Sequence, residues 1–180
     1  MRALLAGILV SGLVSATALA GPEDFSTGPL IEGYGPNAEI DTTFDIPSDA
    51  VFRPLYDVAQ AAEPGGLSRS LVTAARFLNM HARAGIPAEN MQLAVVVHGS
   101  AIFDVAGAQA YGRRHDGADN ANAALVEELV ANGVAIYVCG QSAAHYDLQT
   151  QELLPGVEMA LSAMTVHALL QQEGYTLNPF

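Results

Sequence analysis

The stretch AIYVCGQSAAHYDL (135–148) decides the fold, because four apolar residues run directly into a cysteine and a glycine. A continuous apolar run that ends in glycine is typical of a strand buried on both faces. VAIYVCG (134–140) is therefore predicted to be such a strand, and LAVVVHG (93–99) has the same form. Strands that are apolar on both faces indicate a parallel sheet covered by helices.

Strand and helix patterns alternate along the chain from residue 50 onwards. Further strands are predicted at AVFRPLYDVA (50–59), VEMALS (157–162) and YTL (175–177). Helices are predicted over 67–84, over part of 104–112 and over 142–153, and a polar loop is predicted at 111–120. Two further helices are predicted to begin at polar caps, one running from Asn120 or Asn122 to Gly133 and one from Ser162 to about Gln172. This order predicts a three-layer α/β/α fold with a mainly parallel sheet of about five strands, forming a single domain over residues 50–180.

The first 20 residues have the form of a secretory leader. Met1 and Arg2 precede an almost unbroken apolar run, and Ala18-Leu19-Ala20 fits the small-x-small cleavage rule. Cleavage after Ala20 is predicted, with a mature protein that is periplasmic or secreted and has no membrane segment. An uncleaved membrane anchor is the alternative, because the apolar run is nearly long enough to span a bilayer.

Residues 21–49 are rich in glycine, proline and acidic residues, and they are predicted to form an extended N-terminal arm. Within the arm, EIDTTFDI (39–46) alternates loosely between apolar and polar positions. Three arrangements stay open: an added edge strand, packing on a neighbouring subunit, or a solvated and flexible leader.

Charge and cysteine content exclude several functions. The chain has 19 acidic residues, 7 basic residues that are all arginine, and a formal net charge of −12. Such a surface repels phosphate backbones and anionic membranes, so no nucleic-acid partner is expected. The absence of lysine excludes Schiff-base chemistry, and the single cysteine excludes an internal disulfide and CxxC exchange.

Ligands of open α/β sheets bind beyond the carboxyl ends of the strands, and three groups fall there. They are His98-Gly99-Ser100, Cys139-Gly140-Gln141-Ser142, and Asp57 of the first strand. A helix that begins near Ser142 would direct backbone N–H groups at Cys139 and favour its thiolate, with His145 and His98 near enough to assist. A buried, structural Cys139 and a turn-fixing His98 are the alternative readings.

The other histidines and arginines give weaker signals. His81 and His167 fall in predicted helices and are expected to be packing or surface residues. Arg113, Arg114 and His115 could attract a small anion, although a solvated loop is the simpler interpretation. The histidines show no metal-ligand spacing, and the glycines match no nucleotide-binding motif, so neither a metal nor a cofactor is expected.

Three segments resemble the DsrE/DsrF-like family of sulfur-oxidation and sulfur-relay proteins: VVVHGSAIF (95–103), NANAALVEELVANGVAIYVCGQS (120–142) and ELLPGVEMALSAMTVHALLQQEGY (152–175). The resemblance covers roughly residues 50–177. It implies that the strand ending at His98 neighbours the one ending at Cys139, and that the protein forms homo-oligomers, commonly trimers or hexamers. It also implies a persulfide on the cysteine that matches Cys139. The sulfur-relay members are cytoplasmic, whereas this chain carries a leader and an arm.

The first hypothesis is a sulfur carrier or transferase in which Cys139 holds sulfane sulfur as a persulfide. Its partner would be a sulfur donor or acceptor protein, or a small thiol. The binding residues expected around the thiol are His98, Gly99, Gly140, Gln141, Ser142 and His145. The alternative is a non-catalytic oligomeric binding or scaffold protein with a buried cysteine, and a third, weaker hypothesis is a flavodoxin-like enzyme acting on a small molecule.

Overall fold

The computed structural model describes residues 21–179, so the predicted leader lies outside the described residues. Its centre is one sheet of five parallel strands, in the order β4-β3-β2-β1-β5. The strands are β1 (Pro54–Val58), β2 (Ala94–Val97), β3 (Ala135–Cys139), β4 (Val157–Ala160) and β5 (Thr176–Asn178). The predicted fold class is confirmed, and β2 and β3 are neighbours, as the family resemblance implied.

Alternate residues of the central strands enter two separate cores, one on each face of the sheet. The larger core contains Tyr56, Val95 and Ile136 with side chains of several helices. The smaller core contains Leu55, Ala94 and Val96 and is closed by Val166 and Leu170 of a single helix. The continuous apolar pattern of the strands follows from this burial on both faces.

Five α-helices cover the sheet: α1 (Arg69–Arg83), α2 (Ala108–Arg114), α3 (Ala123–Ala131), α4 (Gly140–Tyr146) and α5 (Ala163–Gln172). The predicted cap at Ser162 is confirmed, since its hydroxyl accepts a hydrogen bond from the Thr165 N–H of α5. Helix α3 begins after Asn122, one of the two positions predicted, but the Asn122 side chain makes no capping hydrogen bond. Helix α5 covers the smaller core. Residues of the other four helices contribute to the larger core.

Three sequence-based boundaries are wrong. The helix expected over 142–153 begins two residues earlier and ends at Tyr146, because Asp147 adopts a left-handed conformation with φ of 54°. The short helix expected over part of 104–112 is confirmed by α2, which a 3₁₀ segment at Gly99–Val105 precedes, but α2 runs on to Arg114 and so into the segment 111–120 that was expected to be a loop. The first strand was expected over 50–59 but spans Pro54–Val58. Proline has no N–H to donate to a neighbouring strand and is tolerated as the first residue of a strand, so β1 begins at Pro54.

The N-terminal arm is divided into a packed part and an exposed part. The packed part, residues 27–38, lies against α1, and Ile31 is fully buried in the larger core. The buried Asn79 side chain accepts hydrogen bonds from the Leu30 and Ile31 N–H groups and donates to the carbonyls of Ile31 and Tyr34. Residues 39–49 are exposed and contain no strand, so the edge-strand expectation for 39–46 is wrong.

Buried polar side chains fix the loop that follows β1. Asp104 is almost completely buried, and its carboxylate accepts a hydrogen bond from the Ala62 N–H. Burial raises the pKa of the Asp104 carboxyl to about 6, against the opposing effect of that hydrogen bond. The Tyr111 hydroxyl accepts a further hydrogen bond from the Gly65 N–H.

Within residues 21–179, no helix combines the length and apolar character needed to cross a bilayer.

Candidate functional site

The carboxyl ends of β1, β2 and β3 meet at a cavity of about 430 Å³. Parallel pairing aligns these ends, so Asp57 of β1, His98 after β2 and Cys139 of β3 reach the same edge of the sheet. The N-terminal turns of α5 close the cavity from one side. The residues that line it are Asp57, His98, Cys139, Gln141, Ser162, Ala163, Met164, His167 and Leu177.

Asp57 joins two histidines through its two carboxylate oxygens. Its Oδ2 lies 3.1 Å from His98 Nε2, and its Oδ1 lies 2.7 Å from His167 Nε2. Burial would raise the pKa of the Asp57 carboxyl, but the hydrogen bonds from His98 and His167 outweigh burial and hold that pKa below its usual value. Asp57 is therefore ionised at neutral pH and acts only as an acceptor.

Two glycines allow the turns around Cys139 to approach each other closely. Gly99 has a φ of +58°, and a Cβ on it would lie 3.0 Å from the Ala59 carbonyl oxygen. Its N–H donates to the Ser142 hydroxyl at 2.9 Å, which ties the turn after β2 to α4. A Cβ on Gly140 would lie 2.5 Å from the Ala160 carbonyl oxygen, so only glycine fits between the ends of β3 and β4.

The surroundings of Cys139 favour its thiolate. Burial would raise the pKa of the Cys139 thiol, but the backbone N–H of Ala163 opposes it, followed by the backbone and hydroxyl of Ser142. With a further contribution from the Gln141 N–H, these groups bring the pKa of the thiol below its ordinary value. Ala163 is the first residue of α5, so the positive end of that helix lies near the sulfur.

We expect Cys139 to react with iodoacetamide in the folded protein at a pH below that needed for an ordinary cysteine, since the thiolate is the reacting species. Ser142→Ala removes a hydrogen bond to the thiolate and should shift the pH midpoint of alkylation upwards. Alkylation rates over a pH series, measured by mass spectrometry, check both results. Total thiol after denaturation is the control. Equal midpoints for the two proteins would contradict the assigned role of Ser142.

Only part of the predicted binding set reaches the cavity. His98 and Gln141 line it with Cys139, whereas Gly99, Gly140 and Ser142 support the surrounding turns.

His145 is exposed on α4, packs edge-on against Tyr146, and is not among the lining residues. Arg113 pairs with Glu152 and the Arg114 guanidinium lies over the Phe103 and Tyr146 rings, so neither arginine lies at the cavity.

The expectation for His81 is confirmed, since its ring stacks on Phe77 with centroids 3.8 Å apart. The expectation for His167 is wrong, because its ring joins Asp57 in the cavity. A usable signal was present in the sequence. His167 follows Ala163 by four residues and Met164 by three, which places all three on one face of the helix start that Ser162 caps.

The cavity combines a nucleophile, two bases and an apolar rim. Met164 is 77% exposed and Leu177 is 52% exposed, and Leu161 beside them is 72% exposed. Among residues 21–179, no group of three or more histidine, cysteine or acidic side chains is arranged to hold a metal ion. The chemistry that these lining residues offer is nucleophilic attack by a thiolate, with proton transfer by imidazoles.

Comparison with known proteins agrees with this architecture. The sequence profile of the DsrE/DsrF-like family matches residues 56–179. A solved structure of a protein of unknown function from Methanobacterium thermoautotrophicum is similar, with a TM-score of 0.54 at 19% identity, over 72% of this chain and 99% of that one. The ychN protein from E. coli is also similar, with a TM-score of 0.52 at 16% identity, over 72% of this chain and 100% of the other. No curated protein matches the chain. At these identities the two structures establish the fold alone.

Proposed function

This chain belongs to the DsrE/DsrF-like family, a family implicated in sulfur relay, and on that premise we propose that it carries sulfane sulfur as a persulfide on Cys139. The observation that carries the proposal is the thiol itself. Cys139 is the only cysteine in the chain, its surroundings favour the thiolate, and it borders a cavity open to solvent. A carrier of this kind needs a reactive thiolate and no second cysteine that would displace the bound sulfur as a disulfide.

The loading step requires no oxidant or reductant beyond the donor. The Cys139 thiolate attacks the outer sulfur of a donor persulfide, R–S–SH, and the donor S–S bond breaks. The new S–S bond gives Cys139–S–SH, and the electron pair of the broken bond leaves with R–S⁻. Unloading is the same exchange with an acceptor thiolate attacking the outer sulfur. This is thiol–disulfide exchange chemistry applied to a persulfide.

Intact-protein mass spectrometry after incubation with a persulfide donor tests the proposal. We expect the wild-type protein to gain the mass of one sulfur atom, and dithiothreitol to remove it. Cys139→Ser should gain nothing, because no other thiol exists in the chain. An equal gain in Cys139→Ser, or no gain in the folded wild-type protein, would overturn the proposal.

A scaffold role is the second candidate, because Cys139 is only 6% exposed. In a scaffold the thiol would serve as a small apolar side chain at the end of a strand. Titration with a disulfide reagent separates the two functions. Reaction of the native protein favours the carrier, and reaction only after denaturation favours the scaffold.

The compartment and the assembly form part of the same proposal. Export is supported by the leader pattern in residues 1–20. A homo-oligomer is supported by the large apolar side chains exposed around the cavity and along α5, at Leu161, Met164, Leu169 and Leu177, and the family resemblance suggests a trimer or hexamer. N-terminal sequencing of the mature protein and sedimentation analysis test these two points. The donor or acceptor is proposed to be a protein or a small thiol.

A further inference from the structure

Two imidazoles share one carboxylate at the cavity wall, and this arrangement fixes where their protons lie. The ionised Asp57 can only accept hydrogen bonds, so the Nε2 atoms of both His98 and His167 must carry hydrogen. In a neutral imidazole the other nitrogen is then an unprotonated acceptor. Nδ1 is consequently the atom at which each ring can gain or lose a proton without breaking its hydrogen bond to Asp57.

The transfer of sulfane sulfur needs one acid and one base in the same turnover. The departing R–S⁻ is a better leaving group when it receives a proton. The outer sulfur arrives on Cys139 as S–SH and must lose its proton to become the persulfide anion that is passed on. A single imidazole would have to carry out both steps in turn, whereas two imidazoles can divide them.

We propose that His98 and His167 are the catalytic acid–base pair for sulfur transfer at Cys139, and that Asp57 positions both rings so that their Nδ1 atoms exchange protons with the donor and the persulfide. This inference rests on the proposed function of Cys139. It adds roles for three residues at the same site, and one of them, His167, was expected from the sequence to be a packing or surface residue.

Charges and protons balance in the proposed step. Before transfer the site holds the Cys139 thiolate, neutral R–S–SH, one imidazolium and one neutral imidazole. After transfer it holds the Cys139 persulfide anion, R–SH, and the same two rings with the proton on the other one. The net charge is unchanged, and the negative Asp57 lies between the rings in both states and stabilises whichever ring is protonated.

The surroundings leave these rings free for proton exchange. The titratable groups that line the cavity are Asp57, His98, His167 and Cys139. The His98 side chain is 31% exposed and that of His167 is 18% exposed, so both rings can reach bulk water. His81 differs, because it is stacked on Phe77 and its Nδ1 atom lies 2.9 Å from the Phe77 carbonyl oxygen.

The test measures the rate of persulfide loading over a pH series, with small alkyl persulfides as the donor probe. The wild-type rate should rise and then fall with pH, as expected for one acid and one base. His98→Gln and His167→Gln should each load about 100-fold more slowly, because general acid–base groups contribute at least about this much. The variant that lacks the acid should also lose the fall at high pH, whereas the rise at low pH persists in both variants because it also reports formation of the Cys139 thiolate. His115→Gln changes a histidine outside the cavity and should leave the profile unchanged.

The outcomes separate this inference from the proposed function. If Cys139 loads but both glutamine variants keep the wild-type profile, the acid–base pair is wrong and the carrier stands. If Cys139 never loads, both ideas fail. Nitrogen-15 NMR of labelled histidine gives a second readout, which does not depend on loading and whose decisive result comes from the wild-type protein. We expect both neutral rings to carry hydrogen on Nε2, and Asp57→Asn to change the tautomer of one ring. A hydrogen on Nδ1 in either neutral wild-type ring would overturn the proposal.

Discussion

Gly140→Ala should destabilise the fold by about 3 kcal/mol and impair the thiol site at the same time. The added Cβ would lie 2.5 Å from the Ala160 carbonyl oxygen and 3.2 Å from that of Leu161. Both contacts are with backbone, and Ala160 is held by its pairing with Cys139, so neither atom can move without separating β3 from β4. Thermal unfolding should show a midpoint lower by about 10 °C.

The same displacement should raise the pKa of the Cys139 thiol, because it moves the sulfur away from the N–H at the start of α5. Alkylation over a pH series measures this shift. Gly112→Ala is the matched control, since a Cβ at Gly112 of α2 meets no atom closer than 3.7 Å. A wild-type melting temperature for Gly140→Ala would show that β3 and β4 separate more easily than their pairing indicates.

Asn79→Leu should release the packed part of the arm and lower stability by about 3 kcal/mol. Leucine has nearly the same size but can neither donate nor accept hydrogen bonds. Four backbone groups of residues 30–34 would lose the partner that Asn79 provides in the interior. Burying those backbone groups without hydrogen-bond partners costs free energy, so we expect the arm to detach from α1 instead. Detachment removes Ile31 from the larger core and exposes it to solvent.

Limited proteolysis and hydrogen exchange distinguish this outcome from general unfolding. The Ile31 amide should exchange rapidly while amides of β2 stay protected, and cleavage should occur within residues 21–38. Asn132→Leu provides the control, because Asn132 is half-buried at the end of α3, and its side chain makes one hydrogen bond, to the Glu128 carbonyl, and none to the arm. A protected Ile31 amide in Asn79→Leu would mean that apolar packing alone holds the arm.

The sheet was predictable because its strands carry their own signal. LAVVVHG is apolar up to His98 and VAIYVCG up to its final glycine, and such continuous runs are typical of strands buried on both faces. The start of α5 was equally readable from Ser162, whose hydroxyl performs the capping role assigned to it. Cys139 and His98 were placed correctly because the ends of parallel strands share one edge.

Side-chain pairing across long distances was not predictable in the same way. His167 looked like an ordinary helical residue, because nothing local to it reports on a carboxylate in the first strand. The docking of the arm was missed for the same reason, since its anchors are side chains of α1, namely the buried amide of Asn79 and the guanidinium groups of Arg76 and Arg83. Local pattern identifies elements and their ends, whereas these contacts depend on how the elements are arranged in space.

The position of His167 in the chain also determines when the site is completed during folding. His167 lies 110 residues after Asp57, so the bond between them forms only after α5 has packed on the sheet. We expect a contact of such long range to form late in folding, because closing the loop between its partners costs conformational entropy. A molecule in which β1 to β3 have assembled but α5 has not packed would present Cys139 without the Ala163 N–H group and without the imidazole of His167. Thiol reactivity in a preparation therefore reports correctly on the site only when the C-terminal third of the chain has folded.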